Sequence, residues 1–380
     1  MFYLPTKLLW GKEEGEPFFE LCVNKKVCVI CSVSQERLQN PIIKSVLVKL
    51  QQIAQKVVIS NTACSNPTSD NVIASIENIN NGNCEMIVAI GGGSAIDCAK
   101  AAAYGAINGT ENLWQSMDDM SLSRPKAMPV LVLNTSSGTG SEINSCAVIT
   151  IGNKKKALVS DAVYPVLTWV IPELSMTLPQ EKTAPMYLDC IYHAVEGFLS
   201  RNSTFFSREF SRNCITLCLK NLVCLQQCTN SLEIRNDLAL ASLYSALSDT
   251  YGGCISIHSL GHAISGINPS IPHGISISSL AVSYYTYLHQ NGDMEYLNKE
   301  NALLQILNTT NNTFDNIGSF MMFLNQKVGV AQYTLSRLGF VEHDFPVIFS
   351  NAVNSAGVLF DNDPVSIREE DSYYILKRSL

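Results

Sequence analysis

Four of the six histidines of this 380-residue chain lie in three short segments whose spacing suits a metal ion. Asp189 and His193 are four residues apart in YLDCIYHAVEG. His258 and His262 are also four apart, in ISIHSLGHAISG, and His273 follows in SIPHGIS. Residues four apart share one face of a helix, and one carboxylate with several imidazoles suits Fe(II) or Zn(II). The alternative for each pair alone is an ordinary core or surface histidine, but two pairs and a third segment together favour a metal site.

Two polar segments that follow predicted strands suit the phosphates of a dinucleotide. The first, MIVAIGGGSAIDCAK, is a strand, three glycines, a serine and a helix. Gly92, Gly93 and Ser94 would lie at the start of that helix, where free N–H groups and the helix dipole attract a pyrophosphate and glycine allows its close approach. Because Ile96 stands three residues after Gly93, this is not a GxGxxG fingerprint. A plain strand-to-helix turn is therefore the alternative.

The second polar segment, in VLVLNTSSGTGSE, places seven small or hydroxylated residues directly after another strand, at positions 135–141. Two such loops indicate one extended dinucleotide at the carboxyl ends of the strands. An acid at the end of the first strand would bind the ribose and repel a 2′-phosphate. Here the strand continues as Ser32-Val33-Ser34, with no acid before Glu36. Both NAD and NADP therefore stay open.

Short, continuous apolar runs alternate with helical patterns in the first part of the chain. KVCVICS, KVVIS, MIVAIG and MPVLVLN are typical of buried parallel strands, and their alternation with amphipathic segments predicts a parallel sheet covered on both faces. After about residue 180 the runs are long, helical in period and rich in Leu, Cys and Ala. We therefore predict an α/β dinucleotide-binding domain over residues 1–180 and an all-α metal-binding and catalytic domain over residues 181–380.

The composition excludes several classes of protein. With 26 Lys and Arg against 33 Asp and Glu, the net charge is −7, which argues against a nucleic-acid partner and against docking on an anionic membrane. No apolar run is long enough to span a membrane, and the amino terminus does not resemble a signal peptide. The thirteen cysteines are interpreted as reduced thiols. Together these features predict a cytoplasmic protein.

The motifs GGGSAIDCAK, TSSGTGSE, PELSMTLP, D-x3-H-A-x-E and H-x3-H followed by PHG occur in this order over nearly the whole chain. In this combination the sequence resembles the iron-containing (group III) alcohol dehydrogenase family. The resemblance implies the dehydroquinate synthase-like fold, with a nucleotide domain followed by a helical metal domain. It also implies NAD or NADP and a divalent metal as cofactors, hydride transfer between the nicotinamide and a small aldehyde or alcohol, and a homodimer.

Carried over residue by residue, the resemblance implies a set of site residues. The metal ligands would be Asp189, His193, His258 and His273, and His262 would be the catalytic proton relay near the nicotinamide. The cofactor-binding residues would be Gly92, Gly93, Ser94, Asp97, Thr135, Ser136, Thr139 and Lys156. For Asp97 the alternative is a simple first-turn acid, and for Lys156 it is a solvated lysine of a hairpin.

The sequence departs from the family pattern at a few places. The gap from His258 to His273 is one residue longer than the resemblance leads us to expect, so an alternative alignment would make His262 the ligand instead. Ile171, Tyr187 and Asn134 replace an Asp, a Gly and a Pro that are common in the family. None of these changes removes a ligand, so they bear on the shape of the site.

The stretch HAVEGFLSRNSTFFSREFSR is similar to a branch of the family that reduces small anionic aldehydes, such as phosphonoacetaldehyde or sulfoacetaldehyde. Arg201, Arg208 and Arg212 would meet such an anion; the alternative is a solvated helix face. Reduction of neutral short-chain aldehydes, as by butanol, lactaldehyde or 1,3-propanediol dehydrogenases, is the second reading of function. A lyase or glycerol dehydrogenase on the same architecture, and a nucleotide- and metal-binding protein without turnover, also stay open.

Overall fold

The computed structural model describes residues 2–31, 39–226, 231–308 and 312–380, without the side chains of residues 224–226. Its contacts divide the chain into two compact units, Met1–Thr177 (unit 1) and Leu178–Leu380 (unit 2). The segment from Ser32 to Glu36, on which the argument about the coenzyme rests, lies outside the described residues.

Unit 1 is built on a six-stranded sheet whose strands are β1 (Lys7–Trp10), β2 (Lys26–Cys31), β3 (Lys56–Ser60), β4 (Met86–Gly91), β5 (Val130–Asn134) and β8 (Leu167–Val170). They lie in the order β1-β8-β5-β4-β2-β3, and every neighbouring pair is parallel. A separate antiparallel hairpin is formed by β6 (Cys146–Ile151) and β7 (Lys154–Val159). The helices are α1 (Glu16–Glu20), α2 (Pro41–Ile53), α3 (Ser69–Gly82), α4 (Gly93–Asn108) and α5 (Thr110–Asp118).

Both faces of the central strands are buried, which explains their continuous apolar sequence. In β4, Ile87 and Ala89 pack into one core cluster, and Val88 and Ile90 pack into the other. The first cluster also contains residues of α3 and α4, and the second contains residues of α1 and α2. The predicted parallel sheet is confirmed.

The register of the sheet aligns the ends of its two middle strands. Gly91, the last residue of β4, pairs with Asn134, the last residue of β5. The Thr135 N–H donates a hydrogen bond to the Gly91 carbonyl at 2.9 Å. The glycine-rich loop and the hydroxyl-rich loop therefore begin side by side.

Unit 2 is helical in all its regular elements that the structure describes. Its helices are α6 (Gln180–Leu199), α7 (Phe205–Gln226), α8 (Leu232–Gly252), α9 (Ser256–Ile267), α10 (His273–Asn291), α11 (Met294–Leu307), α12 (Ile317–Val328), α13 (Phe345–Ala356), α14 (Val358–Asp361) and α15 (Glu369–Arg378). Within the described ranges, none of the helices is both long and apolar enough to cross a membrane.

Helix α6 is the central element of unit 2. Nearly all of its residues after the first turn are buried, as expected of a helix surrounded by others, and it packs against α7, α8 and α10. The start of α10 lies directly on it, because a Cβ at Gly274 would stand 2.0 Å from the Pro185 carbonyl oxygen. Glycine after His273 thus brings the first turn of α10 close to the backbone of α6.

Candidate active site

Helix α6 presents Asp189 and His193 on one face, as their spacing predicts. The His193 Nδ1 atom lies 2.9 Å from the Asp189 carbonyl oxygen, one turn back on the same helix. This contact fixes the ring and leaves Nε2 for another partner. The Asp189 Oδ1 atom is buried, and no residue in the described part of the chain donates a hydrogen bond to it.

Imidazoles from two further elements converge on this face. The Oδ1 atom of Asp189 lies 3.9 Å from His193 Nδ1 and 3.9 Å from His273 Nε2. The Nε2 atoms of His258 and His273 are 2.9 Å apart, and the His193 and His258 ring centroids are 4.6 Å apart. The structure thus brings together the four side chains that the sequence singles out as ligands.

His262 completes a histidine triangle with His258 and His273. Its ring is stacked on that of His273, with centroids 4.4 Å apart and planes at 30°, and meets His258 edge-on at 5.1 Å. One ring nitrogen from each of the three lies within 4.8 Å of the others. His262 is only partly buried, whereas His258 is buried.

Glu196, which the sequence analysis does not single out as a site residue, orients His258. It is fully buried on α6, and its Oε1 atom lies 3.1 Å from His258 Nδ1 while Oε2 accepts a hydrogen bond from the Ile255 N–H at 3.0 Å. Burial lowers the pKa of His258, but the charge and hydrogen bond of Glu196 and the charge of Asp189 outweigh it and raise this pKa to about 9. In the sequence, the position of Glu196 three residues after His193, in the motif D-x3-H-A-x-E, is the feature that could have indicated this role.

These donors fit a divalent ion. A buried carboxylate oxygen without a hydrogen bond costs free energy, and imidazoles packed this closely repel one another once protonated. A cation among them removes both costs. One carboxylate and three imidazoles are the ligand chemistry of Fe(II) and Zn(II) sites.

In unit 1, the two polar loops lie against each other. A Cβ at Gly92 would stand 2.2 Å from Ser136 Oγ, and one at Gly93 would stand 2.5 Å from Thr139 Oγ1. Helix α4 begins at Gly93, and no side chain in the described ranges caps it. The N–H groups of Ala95 and Ile96 donate to the Gly92 carbonyl, so the N–H groups of this turn that remain for an anion are those of Gly93 and Ser94. Ser94, in the same turn, accepts a hydrogen bond at 3.4 Å from the N–H of Asn66.

Asp97 and Lys100, one turn apart on α4, hold the segment that follows the second loop. Asp97 accepts hydrogen bonds from the Ser141 hydroxyl and from the Val148 N–H, so both of its oxygens are engaged by the chain. Lys100 Nζ, fully buried, donates to Ser141 Oγ, to the carbonyl and side-chain oxygens of Asn144 and to the Cys146 carbonyl. Burial raises the pKa of Asp97 and lowers that of Lys100 to about 8, while their opposite charges act against both shifts.

Two adjacent lysines of β7, Lys155 and Lys156, contact different partners. Lys156 Nζ pairs with the Asp118 carboxylate of α5. Lys155, which is buried, donates to Asn66 Oδ1 at 3.0 Å, and Asn66 in turn contacts Ser94. Lys155 is thus the hairpin lysine that is linked to the glycine-rich loop, through Asn66.

Of the three residues that depart from the family pattern, two make hydrogen bonds and one is buried in a core cluster. Asn134 Oδ1 accepts from the Ser136 N–H at 3.1 Å and so shapes the second loop. The Tyr187 hydroxyl donates to the Cys218 carbonyl at 2.9 Å and joins α6 to α7. Ile171 is buried in the core cluster shared with α1 and α2.

The three arginines considered for an anionic substrate lie at the start of α7 and just before it. Arg208 donates to Ser203 Oγ at 3.3 Å. Arg212 is more than half exposed and lies 3.7 Å from Glu209. Arg201 is exposed, and its N–H donates to the Asn362 carbonyl.

Similar proteins point to one family. Alcohol dehydrogenase 4 of Schizosaccharomyces pombe is 32% identical over 212 residues, which are 55% of this chain and 50% of that protein. The 1,3-propanediol dehydrogenase of Citrobacter freundii is 25% identical over 351 residues, 90% of this chain and 88% of that enzyme. The chain thus spans half of the first relative and most of the second.

Solved structures share the fold. An archaeal halo-thermophilic alcohol dehydrogenase from a Red Sea brine pool has a TM-score of 0.91 at 22% identity, covering 100% of this chain and 98% of that one. Sulfoacetaldehyde reductase of Bifidobacterium kashiwanohense, in complex with NAD+, has a TM-score of 0.82 at 22% identity, also covering 100% and 98%.

Two family profiles cover nearly the whole chain. The iron-containing alcohol dehydrogenase profile matches residues 5–172, and the C-terminal profile of the Fe-containing alcohol dehydrogenase family matches residues 183–380. The first match lies within unit 1 and the second within unit 2. The chain belongs to the iron-containing alcohol dehydrogenase family and is an oxidoreductase.

Proposed function

We propose that this protein transfers a hydride between a nicotinamide dinucleotide and a small aldehyde or alcohol, at a divalent metal held by Asp189, His193, His258 and His273. The cofactors of the family are NAD(H) and a divalent metal. The observation that carries the proposal is the buried Asp189 Oδ1, which accepts no hydrogen bond from the described residues and lies 3.9 Å from His273 Nε2. Location in the cytoplasm and assembly as a homodimer remain predictions.

The residues of the chain supply orientation and a proton. When bound, the metal supplies Lewis acidity toward a carbonyl oxygen and the nicotinamide supplies the hydride. The Asp189 carbonyl and the Glu196 carboxylate hold Nδ1 of His193 and of His258 respectively, so that both rings keep Nε2 for the metal. His262, partly exposed and stacked on His273, is placed to hold the proton that the product alcohol takes up.

The alternative in which His262 replaces His258 as a ligand is less well supported. His258 contacts both His193 and His273, is buried, and has Nδ1 fixed by a carboxylate. Metal-binding histidines characteristically have such a second partner. We therefore propose His258 as the ligand and His262 as the proton relay.

Glu196→Gln is expected to weaken metal binding about 10- to 100-fold, because a neutral amide is a poorer partner for the His258 N–H than a carboxylate and leaves the ring less basic. The measurement is a chelator competition that gives the metal Kd. Glu300→Gln is the matched control, since Glu300 is equally buried and holds His289 at 2.7 Å. Equal affinities of the Glu196→Gln and Glu300→Gln proteins would show that Glu196 does not tune the site.

The glycine-rich loop and the hydroxyl-rich loop are proposed as the dinucleotide site, with Lys155 as its cation. Lys155→Ala is expected to raise the Kd of NADH or NADPH about tenfold or more, because the charged donor that holds Asn66, the partner of Ser94, is lost. Lys156→Ala is the control and should change the Kd less than about twofold, since Lys156 pairs with the exposed Asp118. Titration of coenzyme fluorescence gives both values. A larger rise in Kd for Lys156→Ala than for Lys155→Ala would show that Lys156 is the cation of the dinucleotide site.

For the substrate we propose a small aldehyde, and we propose an anionic one as the first candidate. Its support is the group Arg201, Arg208 and Arg212 and the fold shared with a sulfoacetaldehyde reductase. A neutral short-chain aldehyde is the second candidate, and the pairing of the exposed Arg212 with Glu209 favours it. The kcat/KM for phosphonoacetaldehyde or sulfoacetaldehyde, compared with propanal and lactaldehyde, separates the two. A preference for the neutral aldehydes would end the anionic proposal.

The activity itself is tested by adding Fe(II) or Zn(II), NADH or NADPH and the aldehyde panel and by following the absorbance of the reduced nicotinamide. Consumption that needs both the metal and an aldehyde is expected. Tight binding of both cofactors with no turnover on any aldehyde would favour the non-catalytic alternative.

A further inference from the structure

A buried thiol lies beside the proposed metal ligands. Sγ of Cys254 and one ring nitrogen each of His193 and His258 lie within 4.8 Å of one another, and all three residues are buried. Cys254 stands between α8 and α9, outside the motifs from which the ligand set was predicted. This cluster shares two imidazoles with the proposed site, but neither the carboxylate of Asp189 nor the ring of His273.

The backbone holds Cys254 in this place. The N–H of Ile255, the next residue, donates to Glu196 Oε2 at 3.0 Å, and the Cys254 carbonyl accepts from Asn362 Nδ2 at 2.9 Å. Gly253, with a φ of 78°, gives the chain the turn that leads into this position. Because the segment is fixed on both sides, the thiol stays beside the imidazoles.

The charges around the thiol favour a cation. The Cys254 thiol donates a hydrogen bond to the Asp249 carboxylate, and the negative charges of Asp249, Glu196 and Asp189 all act on it. Asp189 Oδ1 is buried and accepts no hydrogen bond from the described residues. Sulfur and imidazole ligands together select thiophilic or borderline ions, such as Zn(II), whereas a carboxylate with imidazoles also suits harder ions such as Fe(II).

We propose that Cys254, His193 and His258 form a second, sulfur-containing metal position that takes thiophilic divalent ions such as Zn(II). Binding forms a metal–sulfur bond and releases the thiol proton to solvent, with no change of oxidation state. Because the two imidazoles cannot serve both positions, an ion held by Cys254 competes with one held by Asp189 and His273. The inference rests on the proposed function only through these shared imidazoles.

Cobalt(II) is the probe, because a thiolate ligand gives Co(II) a sulfur-to-metal charge-transfer absorption that imidazole and carboxylate ligands do not give. The full-length protein loaded with Co(II) is expected to show this band, Cys254→Ser to lack it, and Cys22→Ser to keep it. Cys22 is a suitable control because it is fully buried in unit 1, near Phe18 and Met86. Inhibition by excess Zn(II) should be at least about tenfold weaker in Cys254→Ser.

X-ray absorption of the zinc-loaded wild-type protein gives the same answer without a variant: sulfur scattering at about 2.3 Å is expected. Stoichiometric binding of Co(II) and Zn(II) with only nitrogen and oxygen neighbours would overturn the inference and leave the proposed function intact. Failure of wild-type protein to bind either ion would overturn both.

Discussion

A His193→Ala protein is expected to lose its metal and to retain no more than about a thousandth of the wild-type kcat/KM. His193 offers a ring nitrogen from the centre of α6, 4.6 Å from the His258 ring, with Nδ1 held by the Asp189 carbonyl. Without His193 the metal lacks one of its four proposed ligands, and the Lewis acidity of the metal is lost with it. That acidity is worth several kcal/mol, and each ~1.4 kcal/mol is a factor of about ten in rate. Metal content after gel filtration and turnover of the preferred aldehyde measure both effects.

His289→Ala is the matched control for this prediction. His289 lies near the end of α10, the helix that begins at His273, and contacts Glu300 rather than the histidine cluster. This variant should keep its metal and most of its activity. Full activity of a metal-free His193→Ala protein would refute the proposed reaction.

Lys100→Met is expected to lower the free energy of unfolding by about 3–5 kcal/mol, since it removes the main cation acting on the buried Asp97 and the lysine donor to the Asn144 and Cys146 carbonyls. Burial lowers the pKa of Lys100 only to about 8, so the side chain is charged at neutral pH. Because Lys100 also holds Ser141 and Asn144, we expect weaker coenzyme binding in the same variant.

Urea unfolding measures the effect, with Lys25→Met as the control. Lys25 lies in the same unit, about half exposed and 3.8 Å from Glu85, and such surface pairs contribute about 1 kcal/mol or less. A Lys100→Met protein as stable as the Lys25→Met protein would show that the buried lysine does not hold this segment.

The sheet was predictable where burial leaves a strong pattern. The continuous apolar runs that became β2, β3, β4 and β5 identify the middle of the sheet and one edge. The short strands β1 and β8 were not predicted, because four residues are too few to show a period and β1 is half exposed. The hairpin of β6 and β7 carries Lys155 and Lys156. Which face of the hairpin each lysine occupies is decided by the pairing register of the two strands.

The candidate site was predictable where helical spacing defines it. Asp189 and His193 share a face because four residues separate them, and the glycine before Ile275 in the PHG motif fits the close approach of α10 to α6. The role of Glu196 depends on where His258 comes to lie, and the position of Cys254 depends on the link between α8 and α9. Such contacts arise from tertiary packing, which spacing along the chain does not encode.

Anomalous diffraction at the iron absorption edge, from crystals grown with Fe(II) in the absence of oxygen, tests the metal site most directly. One peak is expected about 2.0–2.2 Å from a carboxylate oxygen of Asp189 and from a ring nitrogen of each of His193, His258 and His273. A peak elsewhere, or Asp189 and these histidines turned away from one another around an empty centre, would contradict the proposed site and the reaction built on it.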